Sequence, residues 1–198
     1  MKCRIAAALL GALLAGACRG APPGASPVQQ LVDSLRPPVE VAAGLKFRTR
    51  PMVAMRSKAQ VRAYLAAKLD ADLPEERARG METAYRLFGL LPDSVRLRPL
   101  LLDLLSEQVV GYYDADSAML FGVAGSPRDQ LRLVMAHEMV HALQGQYLAL
   151  DSILHDLTSN DRRTAAQAIL EGQATYASLA IYAPDKGVAQ NDDFCLLY

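Results

Sequence analysis

The chain has 198 residues, 52% of them hydrophobic and 21% charged, enough to bury a proper core and most simply one domain. Its 21 basic residues balance its 21 acidic ones, so no overall field draws it to nucleic acid or to an anionic surface. Tryptophan is absent and aromatics amount to 6%, which leaves no stacking platform for bases and excludes nucleic-acid binding from the expected functions.

The first residues read as an address. Lys2 and Arg4 form a positive start, Ile5 to Leu14 an apolar run too short to span a bilayer as a helix, and Ala15-Gly16-Ala17 a small-residue cleavage site. Residues 1–17 are therefore expected to be a signal peptide and the mature chain to be exported. Leu14-Ala15-Gly16-Ala17-Cys18 resembles a bacterial lipobox, with the leucine one position further from the cysteine than usual. The expectation is an envelope lipoprotein anchored to the membrane through Cys18, with a freely secreted product of ordinary signal peptidase as the alternative. Residues 18–27, with Pro22, Pro23 and Pro27 among Gly, Ala and Ser, have the composition of a tether. Cys3 leaves with the signal and Cys195 has no evident partner, so no disulfide framework or cysteine metal site is available.

Residues 28–106 read as a helical region with no chemistry of its own. Val28 to Leu35 is a short helix that Pro37-Pro38 should end, and Leu45 to Met55 is ambiguous, a strand followed by a turn. Ser57 can cap a helix carrying Val61, Tyr64, Leu65, Lys68 and Leu69. Pro74-Glu75-Glu76 starts the next, with Met81, Tyr85 and Phe88 on one face and Gly89 as its stop. Ser94 is the expected cap of a third, whose Leu97, Leu100, Leu101, Leu104 and Leu105 form an apolar stripe expected in the core.

From residue 107 the character changes, and residues 107–198 read as the functional core. Two runs rich in Val, Tyr, Leu and Phe flank a polar turn at Asp114 to Ser117, a hairpin signal, and one of its strands is expected to be an edge open to an extended peptide. Then comes Leu133 to Leu143, apolar throughout except for His137, Glu138 and His141. Burying three polar groups uncompensated would cost about 1–3 kcal/mol each, so they need a partner. The two histidines are four apart and share one helix face. Glu138 sits at the rim of that face, placed to reach a water at a shared metal. This is the His-Glu-x-x-His pattern, in which two imidazoles bind Zn2+ and the glutamate acts as general base.

A further helix runs from Thr164 to Tyr182 and stops before Pro184. Glu171 follows an apolar Ala168-Ile169-Leu170 run on it, and Ala168, Ala174, Thr175 and Ser178 are small enough to admit a neighbouring helix. Glu171 is the expected third metal ligand, with His155 in the intervening polar loop as its rival.

Gly111-Tyr-Tyr-Asp114, Ala136-His-Glu-Met-Val-His-Ala-Leu-Gln144 and Leu170-Glu-Gly-Gln-Ala-Thr175 together resemble the gluzincin group of zinc metallopeptidases, and more closely a family of bacterial metallopeptidases of minimal gluzincin form. The likeness spans roughly Ser94 to Tyr182. It implies an α+β, zincin-like fold, mainly helical, with a small β-sheet or hairpin over an active-site helix, and zinc held by His137, His141 and Glu171. Thr175 stands where larger gluzincins often carry an aspartate that orients a histidine, so that support is expected from a backbone carbonyl or Asp161. Tyr112, Tyr147, Tyr176 and Tyr182 are equivalent candidates for an oxyanion donor. Relatives tend to continue with more helices, so the resemblance also implies a C-terminally truncated core. The expected function is zinc-dependent hydrolysis of peptide bonds in a peptide or protein substrate outside the cytoplasm. Two readings stay open beside it: a non-catalytic, lipid-anchored zinc-binding or envelope-protein-binding module, and a metal-dependent hydrolase of non-peptide amides.

Overall fold

The structure, a computed structural model, describes residues 24–154 and 159–182. The expected signal peptide, Cys18, nearly all of the tether, His155, Cys195 and the C-terminal end lie outside the described residues. The fold is α+β and mainly helical: α1 (Pro27–Ala43), β1 (Met52–Arg56), α2 (Lys58–Asp72), α3 (Glu75–Leu87), α4 (Leu97–Gln108), β2 (Gly111–Asp114), β3 (Met119–Val123), α5 (Arg128–Gly145), α6 (Leu150–Leu154) and α7 (Asn160–Tyr182).

The expected hairpin is present, with β2 antiparallel to β3 and Tyr113 opposite Leu120. Its partner on the other side is β1, which runs parallel to β3 with Met55 opposite Gly122, giving the order β1-β3-β2. Alternation along β2 assigns its two faces. Tyr112 and Asp114 turn toward α2, where Tyr112 stacks on Tyr64 with ring centroids 4.7 Å apart and Tyr64 donates a 3.0 Å bond to Asp114. Gly111 and Tyr113 turn toward α5. A Cβ on Gly111 would lie 2.3 Å from Met135 Cε and 2.9 Å from the Phe121 carbonyl, and one on Gly145 would lie 2.8 Å from the Tyr113 hydroxyl. The two glycines are what let strand and helix approach this closely.

α5 lies at the centre of the molecule because its sequence is apolar on more than one side. Met135, Met139, Val140 and Leu143 are fully buried, in one cluster with Val32, Leu35 and Val39 of α1, Leu120 of β3, and Ala174 and Ala177 of α7. The alanines let α7 pack close to its neighbours. That face of α7 uses Leu170, Ala174, Ala177 and Ser178, whereas Ala168 and Thr175 are exposed.

Several local expectations need correction. α1 does not end at Pro37-Pro38 but runs through them to Ala43, closed by Gly44 in the left-handed conformation. Each proline removes a helical hydrogen bond. The buried series Val28, Val32, Leu35 and Val39 continues across them, while Pro37 and Ser34 lie on the exposed side, where water can take up the released carbonyls. Ser57 does cap α2, in a reciprocal box with Gln60. Ser94 caps nothing: α4 starts at Leu97 with no side-chain cap, and the Leu97 N–H is taken instead by buried Glu82 at 2.8 Å. Of the leucine stripe, Leu97 joins a small cluster with Leu73 and Ala78, and Leu101 packs against it, but Leu100, Leu104 and Leu105 are exposed. Phe88 is exposed as well.

Candidate metal centre

α5 has no proline, and its only glycine is at its end, so His137 and His141 project from successive turns of an uninterrupted helix. α7 crosses beside it and brings Glu171 from the other side. His137 Nε2 lies 3.1 Å from His141 Nε2 and 3.2 Å from Glu171 Oε2, and His141 Nε2 lies 3.5 Å from the same oxygen. Two nitrogen ligands on a tetrahedral zinc with 2.0–2.1 Å bonds stand about 3.3 Å apart. The three donor atoms are thus spaced as the corners of such a site, and two histidines with one glutamate are a donor set of catalytic zinc. Two histidines and a carboxylate also serve iron(II), so the donors alone do not select the metal.

The hydrogen bonds beside the triad leave the lone pair of the His141 imidazole pointing inward. The Gln144 side chain is buried, and its amide nitrogen donates to the Leu170 carbonyl at 3.0 Å and to Gln173 Oε1 at 2.9 Å. Its oxygen is therefore the atom that faces His141 Nδ1, at 2.9 Å. That oxygen can only accept, so Nδ1 carries the hydrogen and Nε2 keeps its lone pair for a cation. Gln173 in turn donates to the Ala43 carbonyl at 3.2 Å, tying the network to α1. Orientation of the histidine thus comes from Gln144, not from the expected backbone carbonyl or Asp161. Burial, and then the neighbouring His141, lower the His137 pKa against the opposing pull of Glu171, which also favours the neutral, ligating imidazole. If the triad holds a metal, truncating Gln144 to Ala should weaken its binding by about 10- to 100-fold, measured with zinc by competition against a chromophoric chelator; unchanged affinity would remove Gln144 from this role.

Glu138 is enclosed between α5 and β2. Val123 donates to the Val110 carbonyl at 2.9 Å, and alternation along the ladder turns the backbone polar groups of Gly111 and Tyr113 to the outer edge of β2. The Tyr113 N–H accordingly donates to Glu138 Oε2 at 2.9 Å. Burial pushes the Glu138 carboxyl up to about 7, outweighing the lowering by His141 and by the Tyr113 N–H.

This has a consequence for stability in the metal-free chain. The folded state keeps a proton on Glu138 that an unfolded chain, with a carboxyl near 4.5, releases. Its contribution is therefore intact below about pH 4.5 and is lost as pH rises toward 7. With chelator present, Glu138→Gln should gain on wild type by about 2 kcal/mol between pH 5 and pH 8, read from denaturant midpoints. A pH-independent difference would contradict the burial of the carboxyl.

The cleft over these residues has a volume of about 470 Å³, and its far wall is formed by Tyr64, Lys68 and Asp72 of α2 with Asp114 and Asp116 of the hairpin. Lys68 and Asp116 are paired at 2.6 Å. Burial raises the Asp114 carboxyl, but hydrogen bonds from Ser117 and Tyr64 and the charge of Lys68 outweigh it and hold the group below its usual range. The helical region expected to be silent therefore supplies one wall of the cleft. None of the four expected oxyanion tyrosines lines it. Tyr112 is engaged by Arg56 at 2.5 Å, Tyr147 donates to the Lys46 carbonyl at 2.7 Å, and Tyr176 and Tyr182 are exposed. The tyrosines that do line it are Tyr64 and Tyr113; the strand alternation of Tyr113 is the one signal that could have singled it out.

Among the described residues, His137, His141 and Glu171 are the group of histidine, cysteine and acidic side chains close enough to hold an ion. Compared with protein-family models, curated proteins and solved structures, the chain matches none, so a reading of this site stands on its own residues.

Proposed function

We propose that the chain is a zinc-dependent peptidase of zincin-like, gluzincin type that acts outside the cytoplasm. Its zinc ligands would be His137, His141 and Glu171, and Glu138 its general base. The observation that carries this reading is the convergence of three ligand atoms within 3.5 Å beside a half-buried carboxyl that desolvation raises toward neutrality. Zinc held there would polarise the scissile carbonyl and acidify a water molecule.

The remaining steps belong to side chains of this protein. Glu138 removes a proton from the attacking water and returns it to the departing amine nitrogen, work for which a carboxyl near pH 7 is matched at both stages. The Tyr113 N–H holds that carboxylate in place during the exchange. Gln144 keeps His141 in one tautomer. On the outer edge of β2 the Gly111 N–H and carbonyl and the Tyr113 carbonyl are the backbone groups to which an extended peptide can add as a strand, the Tyr113 N–H being held by Glu138, with the scissile bond over the triad. Location outside the cytoplasm, with attachment through Cys18, is supported by the N-terminal sequence alone.

The test is to incubate the purified chain with casein and sequence the products by mass spectrometry, with and without a zinc chelator. New internal termini that disappear with chelator are expected. Intact casein together with release from simple non-peptide amides would replace this reading by the other hydrolase class.

A further inference from the structure

Away from the cleft, the clearest violation of apolar burial is the turn between α3 and α4. Leu87, Phe88 and Leu90 are 83%, 78% and 71% exposed. The N–H groups of the turn are nevertheless all bonded. Gly89 takes left-handed backbone with φ 68°, Phe88 donates to the Ala84 carbonyl at 3.1 Å, Gly89 to Arg86 at 2.9 Å and Leu90 to Tyr85 at 2.8 Å. This is the pair of closing bonds that a left-handed glycine makes at a helix end, and such an end commonly folds the next apolar residue back onto the helix. Leu90 points into solvent instead. Arg86 braces the turn from inside by donating to the carbonyls of Asp93 and Val95 at 3.4 and 2.9 Å. The three side chains are held out by a closed backbone, not exposed by fraying.

We propose that this turn is a wedge that inserts into a lipid bilayer. Three features select lipid over a protein partner. The side chains crown a protruding turn and offer on the order of 400 Å², about half of what each partner of a stable protein interface buries. The N–H groups of residues 88–90 are already satisfied internally, so insertion of the side chains to interfacial depth, with the turn's carbonyls still among the headgroups, leaves no donor unpaired. The charges at its base pair among themselves, Arg86 with Glu82 and Asp93, Arg96 with Glu75 and Glu82, Arg79 with Glu75, and Arg98 with Asp70 and Glu75; four cations balance four carboxylates, so the network neither repels an anionic leaflet nor depends on one. No helix among the described residues is long and apolar enough to cross a membrane, which makes the contact interfacial. A lipid anchor at Cys18, expected from the sequence, would be strengthened by such a second contact. The inference stands independently of the peptidase reading.

Because the chain contains no tryptophan, Phe88→Trp places a single reporter at the apex, and Val41→Trp, on α1 at a position 80% exposed, serves as control. Vesicles of phosphatidylethanolamine and phosphatidylglycerol should shift the emission of Phe88→Trp to the blue. Acyl-chain-brominated lipid should quench it equally at low and high salt, and the control should not respond. Adding Leu87→Ser and Leu90→Ser to the reporter should lower its partition constant about 100-fold, near tenfold for each apolar side chain removed, with the thermal midpoint unchanged. No spectral response to vesicles, a response lost at high salt, or a shift that grows with protein concentration in the absence of lipid would each overturn the proposal, the last by showing that a second copy covers the turn.

Discussion

Glu138→Gln is expected to lower peptide hydrolysis by about 10²- to 10⁴-fold while leaving one zinc bound per chain. The amide has nearly the shape of the carboxyl, and its oxygen can still accept from the Tyr113 N–H, a bond of 2.9 Å in the native chain. What is lost is the ability to take a proton from water and hand it on. None of the three donor atoms of the triad comes from residue 138, so metal content should hold, as elemental analysis of the same preparation would show. Full activity in the variant would mean that another base serves the site; loss of metal together with activity would mean that Glu138 is a ligand.

His141→Ala should abolish the effect of zinc on stability. A ligand that binds only the folded state at a free concentration a thousandfold above its Kd contributes about 4 kcal/mol. For a chain of this size that corresponds to a rise of roughly 10 °C in Tm. The alanine removes a donor 3.1 Å from His137 Nε2 and 3.5 Å from Glu171, and the remaining pair should hold zinc too weakly to produce the shift. Calorimetry with and without zinc reads the difference directly. His155→Ala in parallel should keep the full shift, and its loss would restore His155 as a ligand in place of Glu171.

The parts of the site written in adjacent residues were legible in the sequence. His137, Glu138 and His141 announce themselves because three polar groups interrupt an apolar helix at helical spacing, and the hairpin because β-rich runs flank a polar turn. Glu171 was legible by residue type, on a helix with small neighbours. The supporting shell was not, because it is built from distant partners. Gln144 becomes an orienting group only when α7 brings the Leu170 carbonyl and Gln173 to it. The Tyr113 N–H reaches Glu138 only when two glycines let β2 settle on α5.

A helical pattern likewise says that a face is apolar without saying what covers it. The stripe of α4 therefore read as core although Leu100, Leu104 and Leu105 meet solvent. Pro37 and Pro38 were a strong stop by local chemistry, overridden by a buried stripe that continues past them.

The most direct test of the central claim is a zinc titration of activity. Protein stripped of metal is resupplied with zinc in sub-stoichiometric steps, and casein cleavage is measured at each step. Activity that is absent at the start, rises linearly and saturates at one zinc per chain is the predicted result. Cleavage that persists in the stripped protein, or zinc taken up at one equivalent with no cleavage at any step, would contradict it.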